Sequence, residues 1–206
     1  MHTPTVEFLF DFGSPNAYFC HKVIPGIEAR TGVKFRYVPV LLGGLFKLAN
    51  NRSPAEAFAD IPKKSAYEQM EMERFIQKNG LTAYQRNSFF PVNTLAIMRG
   101  AVAAQRLNCL ERYVDVIYAG MWEKSLNLSD VSIIGSALGN AGLDAPAILQ
   151  SMQEQSVKDE LLANTQNAYE RGAFGSPFFF VGTEMFFGKD RLREVEDEIV
   201  LQSAGR

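Results

Sequence analysis

Thr5-Val6-Glu7-Phe8-Leu9-Phe10-Asp11-Phe12-Gly13-Ser14-Pro15, residues 5–15, carries two signals in succession. Thr5 to Asp11 is short and rich in β-branched and aromatic side chains, which predicts a buried strand. Gly13-Ser14-Pro15 breaks it. Ser14 is a natural helix N-cap, because its hydroxyl can accept an unpaired N–H of the first turn. Pro15 suits the first helical position, where a missing N–H costs nothing. Apolar Ala17, Tyr18, Cys20, Ile24 and Ile27 follow at roughly helical spacing. Pro25 predicts a kink or a tightened turn in that helix, and Thr31-Gly32 its end. Residues 33–40, VKFRYVPV, alternate as a second strand. A strand, a helix and a strand in this order form a βαβ unit, with parallel strands and a right-handed crossover.

Further along the chain the pattern changes. Residues 43–171 show amphipathic helical spacing and no strand, with helices expected at 66–78, 94–106, 111–122, 130–140, 145–153 and 157–170. Residues 82–91 read as a long loop. Strands return at 178–181 and 185–187, joined by a Gly182-Thr183-Glu184 hairpin turn. A last helix is expected at 190–200, with Asp190 as its cap. Removing the middle leaves βαβ–ββα, the order of a thioredoxin core. The expected architecture is therefore α/β, with a thioredoxin-like domain made of residues 1–42 and 172–206. An all-helical insertion domain, residues 43–171, interrupts it in sequence but not in space.

Composition narrows the function. The 206 residues are 47% hydrophobic and 21% charged, with net charge −2, ordinary for a globular chain that buries a core without staples. That balance gives no electrostatic reason to expect nucleic acid. No apolar run is long enough to span a membrane. The first residues lack the basic flank and apolar stretch of a signal peptide, so the expectation is a cytoplasmic protein. Two cysteines, Cys20 and Cys109, make no disulfide framework, and two histidines are too few for a zinc site at useful spacing. His2 stands at the tip of the chain, so a histidine-based triad would have to use His21.

Three places carry chemistry. Ser14-Pro15 stands where the first strand meets the first helix, and ligands of open α/β sheets collect at the carboxyl ends of strands. Helix N-termini offer unpaired N–H donors and favour anions. Ser14 reads either as an anchor for such a ligand or as a plain cap. Gly172-Ala173-Phe174-Gly175-Ser176-Pro177 precedes a strand, and its X–Pro bond is a candidate cis peptide. A cis turn would leave the Ser176 N–H and C=O as an unpaired edge for an extended peptide; otherwise it is an ordinary turn. In Phe187-Gly188-Lys189-Asp190-Arg191, Gly188 permits close approach of a ligand, and the N–H groups at the start of the helix suit a carboxylate. Asp190 could instead meet an ammonium. An N-cap beside a solvated lysine is the simpler reading of that stretch.

Taken together, FDFGSPNAYF, GAFGSPFFFV and MFFGKDRL, supported by FKLANNRSP and FPVNTLAIMRGA, resemble the kappa-class glutathione transferases and the bacterial 2-hydroxychromene-2-carboxylate isomerases, within the wider DsbA-like group. The resemblance spans nearly the whole chain. It implies that Ser14, followed by Pro15, hydrogen-bonds the sulfur of glutathione. It implies that Asn51 helps hold the tripeptide, although Asn50 leaves the register open by one. Ser176, before Pro177, would pair with the cysteinyl main chain, and Phe187, Gly188, Lys189 and Asp190 would grip the γ-glutamyl end. Lys47 matches a lysine near the carboxylate of the aromatic substrate. No tyrosine matches the one that some isomerases place over that substrate; Phe90 and Asn93 are neighbouring candidates. Arg52, Phe89, Phe90 and Trp122 join Lys47 around the expected second pocket.

The implied activity is glutathione-dependent isomerisation of aromatic compounds like 2-hydroxychromene-2-carboxylate, through a thiolate held by Ser14, in a homodimer without a metal. Transferase or peroxidase action on small hydrophobic electrophiles shares the thiolate and differs in the second pocket. A glutathione-binding module without catalysis is a third reading. Dithiol exchange needs Cys-x-x-Cys, and the four positions here are Ser14, Pro15, Asn16 and Ala17; Cys20, two turns into the helix, reads as core.

Overall fold

The computed structural model describes residues 3–205, so His2 lies outside the described residues. The first strand, β1 (Val6–Phe10), is followed by α1 (Pro15–Thr31) and β2 (Phe35–Pro39). β3 (Phe178–Val181) and β4 (Glu184–Phe187) complete a sheet of order β2-β1-β3-β4. β1 pairs parallel with β2 and antiparallel with β3, which pairs antiparallel with β4. β1 is thus central and buried along its whole length, as its mostly apolar sequence requires when both faces are covered; its one charged residue, Glu7, is paired with Arg36 and Arg171.

Alternation divides β1 between two cores. Val6, Phe8 and Phe10 join Phe179 and Val181 against α1, and the rings of Phe8 and Phe179 stack at 5.2 Å. Leu9 turns to the other face with Phe178, Phe180 and Val40. Each fully buried Phe or Leu of this kind contributes about 1.5–3 kcal/mol. α1 runs through Pro25 without interruption and ends at Gly32, which is left-handed at φ 72°, a conformation glycine adopts without steric cost.

Between β2 and β3 lie α2 (Leu42–Leu48), α3 (Pro54–Ala57), α4 (Pro62–Asn79), α5 (Leu95–Arg106), α6 (Leu110–Trp122), α7 (Val131–Asn140), α8 (Ala145–Ser151) and α9 (Gln155–Glu170). Six of these match the expected helices. α2 and α3 are additional, and each is too short to show a helical period. α3 does carry a capping box, Ser53 with Glu56. Leu45 of α2 and Ala168 of α9 cover the second face of the sheet. α5 and α6 contribute to the same core as α1, so one apolar cluster is continuous from the sheet into the helices. No helix among the described residues is long and apolar enough to cross a membrane.

The chain's last turns correct two expectations. Glu184 pairs with Val181, so the hairpin turn is Gly182-Thr183 alone. Asp190 does not cap the final helix. A 3-10 turn, Lys189–Arg191, comes first, and α10 (Leu192–Ser203) begins after it. Gly188, at φ 96° and ψ 157°, sends the chain out of β4 at an angle that only glycine takes readily.

Candidate active site

The β1–α1 turn is held from several sides. Ser14 caps α1, its Oγ accepting the Ala17 N–H at 3.2 Å, and is 5% exposed. The first turn of α1 contains no acidic residue, so no side chain within that turn offsets the partial positive charge of the helix end. The Ser14 N–H donates to the Asp11 carbonyl at 3.1 Å. The Trp122 indole N–H donates to the Phe12 carbonyl at 2.8 Å. Trp122 is 1% exposed. It braces the turn from the core instead of lining the second pocket, where the sequence reading put it.

The Ser176–Pro177 peptide is cis. The Ser176 Oγ accepts the Asp11 N–H and donates to the Leu9 carbonyl, both at 3.2 Å. The Ser14 hydroxyl donates to the Ser176 carbonyl at 3.0 Å. That carbonyl was expected to be unpaired; here the serine opposite engages it, because the two turns meet at adjacent ends of β1 and β3. The Gly188 N–H donates to the Pro177 carbonyl at 3.1 Å, which draws the third stretch to the second.

α2 is tethered to the site at both ends. The Leu42 N–H donates to Asp11 Oδ2 at 2.8 Å. Beyond the helix, Asn51 Nδ2 donates to the Phe174 carbonyl at 3.2 Å. Lys47 and Arg52 are exposed and form no ion pair among the described residues. Phe90 is 38% exposed, its ring 5.8 Å from that of Trp122; the Phe90–Pro91 peptide is also cis. Asn93 is exposed, and its Oδ1 accepts the Leu95 N–H at 3.0 Å, a local turn at the start of α5.

Lys189 departs from the sequence reading. It is buried, not solvated, because its Nζ lies 5.2 Å from the centre of the Phe75 ring of α4 and 2.6 Å from Asp190 Oδ1. The Asp190 side chain is 69% exposed, with Oδ1 engaged by Lys189. The Phe187 ring packs on Phe174 at 4.6 Å and is 46% exposed.

Among the described residues no exposed cysteine and no histidine joins this cluster. Cys20 is fully buried, burial pushes its thiol well above the ordinary range, and both cysteines are free. His21 stands elsewhere, between the Tyr37 hydroxyl at 2.9 Å and Asp115 at 3.0 Å. Sequence reasoning missed Asp11, 1% exposed, whose carboxylate accepts the Gly13 and Leu42 N–H groups, both at 2.8 Å. An acidic residue ending a strand three positions before the cap was the one local sign.

Comparison with known proteins agrees with the fold. The profile of the DSBA-like thioredoxin domain matches residues 5–200. The chain is 26% identical over 200 residues to a 2-hydroxychromene-2-carboxylate isomerase of Sphingobium xenophagum, covering 96% of this chain and 99% of that one. It is 24% identical to glutathione S-transferase kappa 1 of Homo sapiens, covering 91% and 87%. A solved structure of 2-hydroxychromene-2-carboxylate isomerase superposes with a TM-score of 0.80 at 24% identity, covering 97% and 96%.

Proposed function

The chain belongs to the DSBA-like thioredoxin family, and from that premise we propose that it is a glutathione-dependent isomerase of 2-hydroxychromene-2-carboxylate-like aromatic compounds, working as a cytoplasmic homodimer. The observation that carries this is the Ser14 hydroxyl, placed at the start of α1 and bonded across to the cis-proline turn. Isomerase and kappa transferase relatives that match over at least 91% of the chain support an enzyme.

The residues present fit glutathione, a tripeptide thiol with two carboxylates and one ammonium. The Ser176 main chain suits an extended peptide. The Asn51 carboxamide stands beside that turn, and the exposed Asp190 carboxylate, engaged by Lys189 at Oδ1, suits an ammonium through its other oxygen. When bound, glutathione supplies a thiolate that adds reversibly to a conjugated carbon.

Ser14 makes that thiolate accessible near neutral pH. A thiol ordinarily titrates at roughly 8.5, and lowering it by about two units takes about 2.7 kcal/mol. The end of α1 supplies up to about 2 kcal/mol in a partly buried geometry, and a charge-assisted bond from the Ser14 hydroxyl supplies the remainder. In this structure the Ser14 proton points to the Ser176 carbonyl. An incoming peptide N–H on that carbonyl frees the hydroxyl to turn toward sulfur, while the Ala17 N–H keeps its oxygen fixed. Ser14 therefore donates a hydrogen bond and stays protonated. Lys47 and Arg52, which form no ion pair among the described residues, favour an anionic aromatic substrate over a neutral electrophile.

The test compares wild type with Ser14→Ala. The ultraviolet thiolate band of bound glutathione and turnover of hydroxychromene carboxylate and chlorodinitrobenzene are measured. Loss of the band at neutral pH and a fall in turnover of about 10²–10³ are expected, the usual cost of one oxyanion-type donor. An unchanged band and unchanged turnover would remove Ser14 from the mechanism. Turnover of chlorodinitrobenzene alone would make the protein a transferase.

A further inference from the structure

Asp11 is a buried acid that the chemistry above does not use. Among the described residues it has no cationic partner, yet it touches the Ser14 turn, the cis-proline turn and the starts of α2 and α5. Its Oδ1 accepts the Gly13 N–H and its Oδ2 the Leu42 N–H, and the Thr94 hydroxyl, at the start of α5, lies against the carboxylate and favours its charged form. Through its backbone it accepts the Ser14 N–H and donates to the Ser176 Oγ. We infer that Asp11 is the positioning residue of this site, a carboxylate that joins the catalytic turn, α2 and α5 and so fixes the Ser14 hydroxyl. This rests on the proposed role of Ser14.

The chemistry of the donors explains why the residue is an acid. Two backbone N–H groups approach different oxygens, and only a carboxylate presents two acceptor oxygens. An asparagine would turn its NH2 toward one of them. Hydroxyl side chains are too short to reach both. Burial raises the acid's pKa, and the Leu42, Gly13 and Thr94 donors offset that only in part. A carboxylate kept in a place that disfavours its charge, three residues before Ser14, fits a functional requirement better than a structural one. The packing around Gly13 is equally tight: a Cβ there would meet Thr94 Cγ2 at 3.1 Å.

Positioning and plain electrostatics give opposite signs in Asp11→Asn. Removing a nearby negative charge would lower the pKa of a bound thiol. Loosening Ser14 raises it. The expected result is a rise of about one unit in the pKa of the bound glutathione thiol, read from its ultraviolet band. Amide exchange in the 11–18 segment, without ligand, is expected to quicken about tenfold as one restraint is lost. Unchanged exchange, or a thiol pKa that stays or falls, overturns the inference.

Should Asp11→Asn not fold, Leu42→Pro removes one donor and leaves the acid in place. Leu42 is the first residue of α2, a position that accepts proline, and Leu41 before it is extended at φ −89° and ψ 111°, as a residue preceding proline requires. The same changes at about threefold are expected, and exchange equal to wild type overturns the inference. If wild type binds no glutathione, the proposed function fails, and exchange alone decides the place of Asp11.

Discussion

Glu7 and Asp11 stand four residues apart, one in β1 and one just past it, and water reaches only 5% and 1% of them. Their surroundings differ in kind. Glu7 lies opposite Arg36 in the parallel ladder and opposite Phe180 in the antiparallel one. Arg36 pairs with one carboxylate oxygen and Arg171 with the other, while the Arg171 guanidinium lies 3.8 Å from the centre of the Phe180 ring. Burial pushes the Glu7 carboxyl up, but the two guanidiniums outweigh it and the pKa falls below the ordinary value. Asp11 meets only neutral donors, and burial wins. The contrast separates two uses of a buried acid. Neutralised by cations, it fastens strands; held by neutral donors alone, it fixes backbone at the price of an uncompensated charge.

The strongest way to break the comparison is to delete both acids in turn. Asp11→Ala leaves the part-buried Gly13 and Leu42 N–H groups without their acceptor, at about 1–3 kcal/mol each. A loss near 3 kcal/mol in urea unfolding is expected. Glu7→Gln is expected to cost less, about 1 kcal/mol, because Arg36 and Arg171 are 64% and 36% exposed and return to water. Equal losses from the two variants would mean that the neutral donors at Asp11 are satisfied elsewhere, and the distinction would fall.

This contrast also marks what the sequence could tell. β1, the Ser14 cap, the cis Ser176–Pro177 turn and six middle helices were legible because each is written within a short window: a β-branched run, a cap followed by proline, an amphipathic period. α2 escaped because seven residues cannot establish a period, and Gly43-Gly44 within it argues against a helix. The Ser53-Pro54-Ala55-Glu56 start of α3 was readable and overlooked. Lys189 looked solvated because nothing near it in sequence announces the Phe75 ring. Trp122 looked like a pocket wall because its partner, the Phe12 carbonyl, is 110 positions away. Asp11 is the sharpest instance. Its acidity is visible, but the donor that explains it, Leu42, comes from 31 positions away. Caps, turns and periods are local and legible; the partners of buried polar groups are set by topology.

pH gives the finest test, because the two acids must respond in opposite senses. The folded-state pKa of Glu7 is depressed, so its contribution is present above the ordinary carboxylate value of about 4.3 and is lost as pH falls through the lower folded value. That of Asp11 is raised. Native Asp11 binds its proton more readily than the unfolded chain does, so stability declines as pH rises from about 3.9 through the raised value. Urea unfolding of wild type and Glu7→Gln between pH 7 and pH 3 should show a gap of about 1 kcal/mol that closes below about pH 4, as the Glu7 carboxylate is titrated away. The Asp11→Asn gap should run the other way and widen on acidification, because only wild type gains from protonation there. Parallel gaps would show that the two carboxylates feel the same field, and that the arginines beside Glu7 are not what distinguishes the two ends of β1.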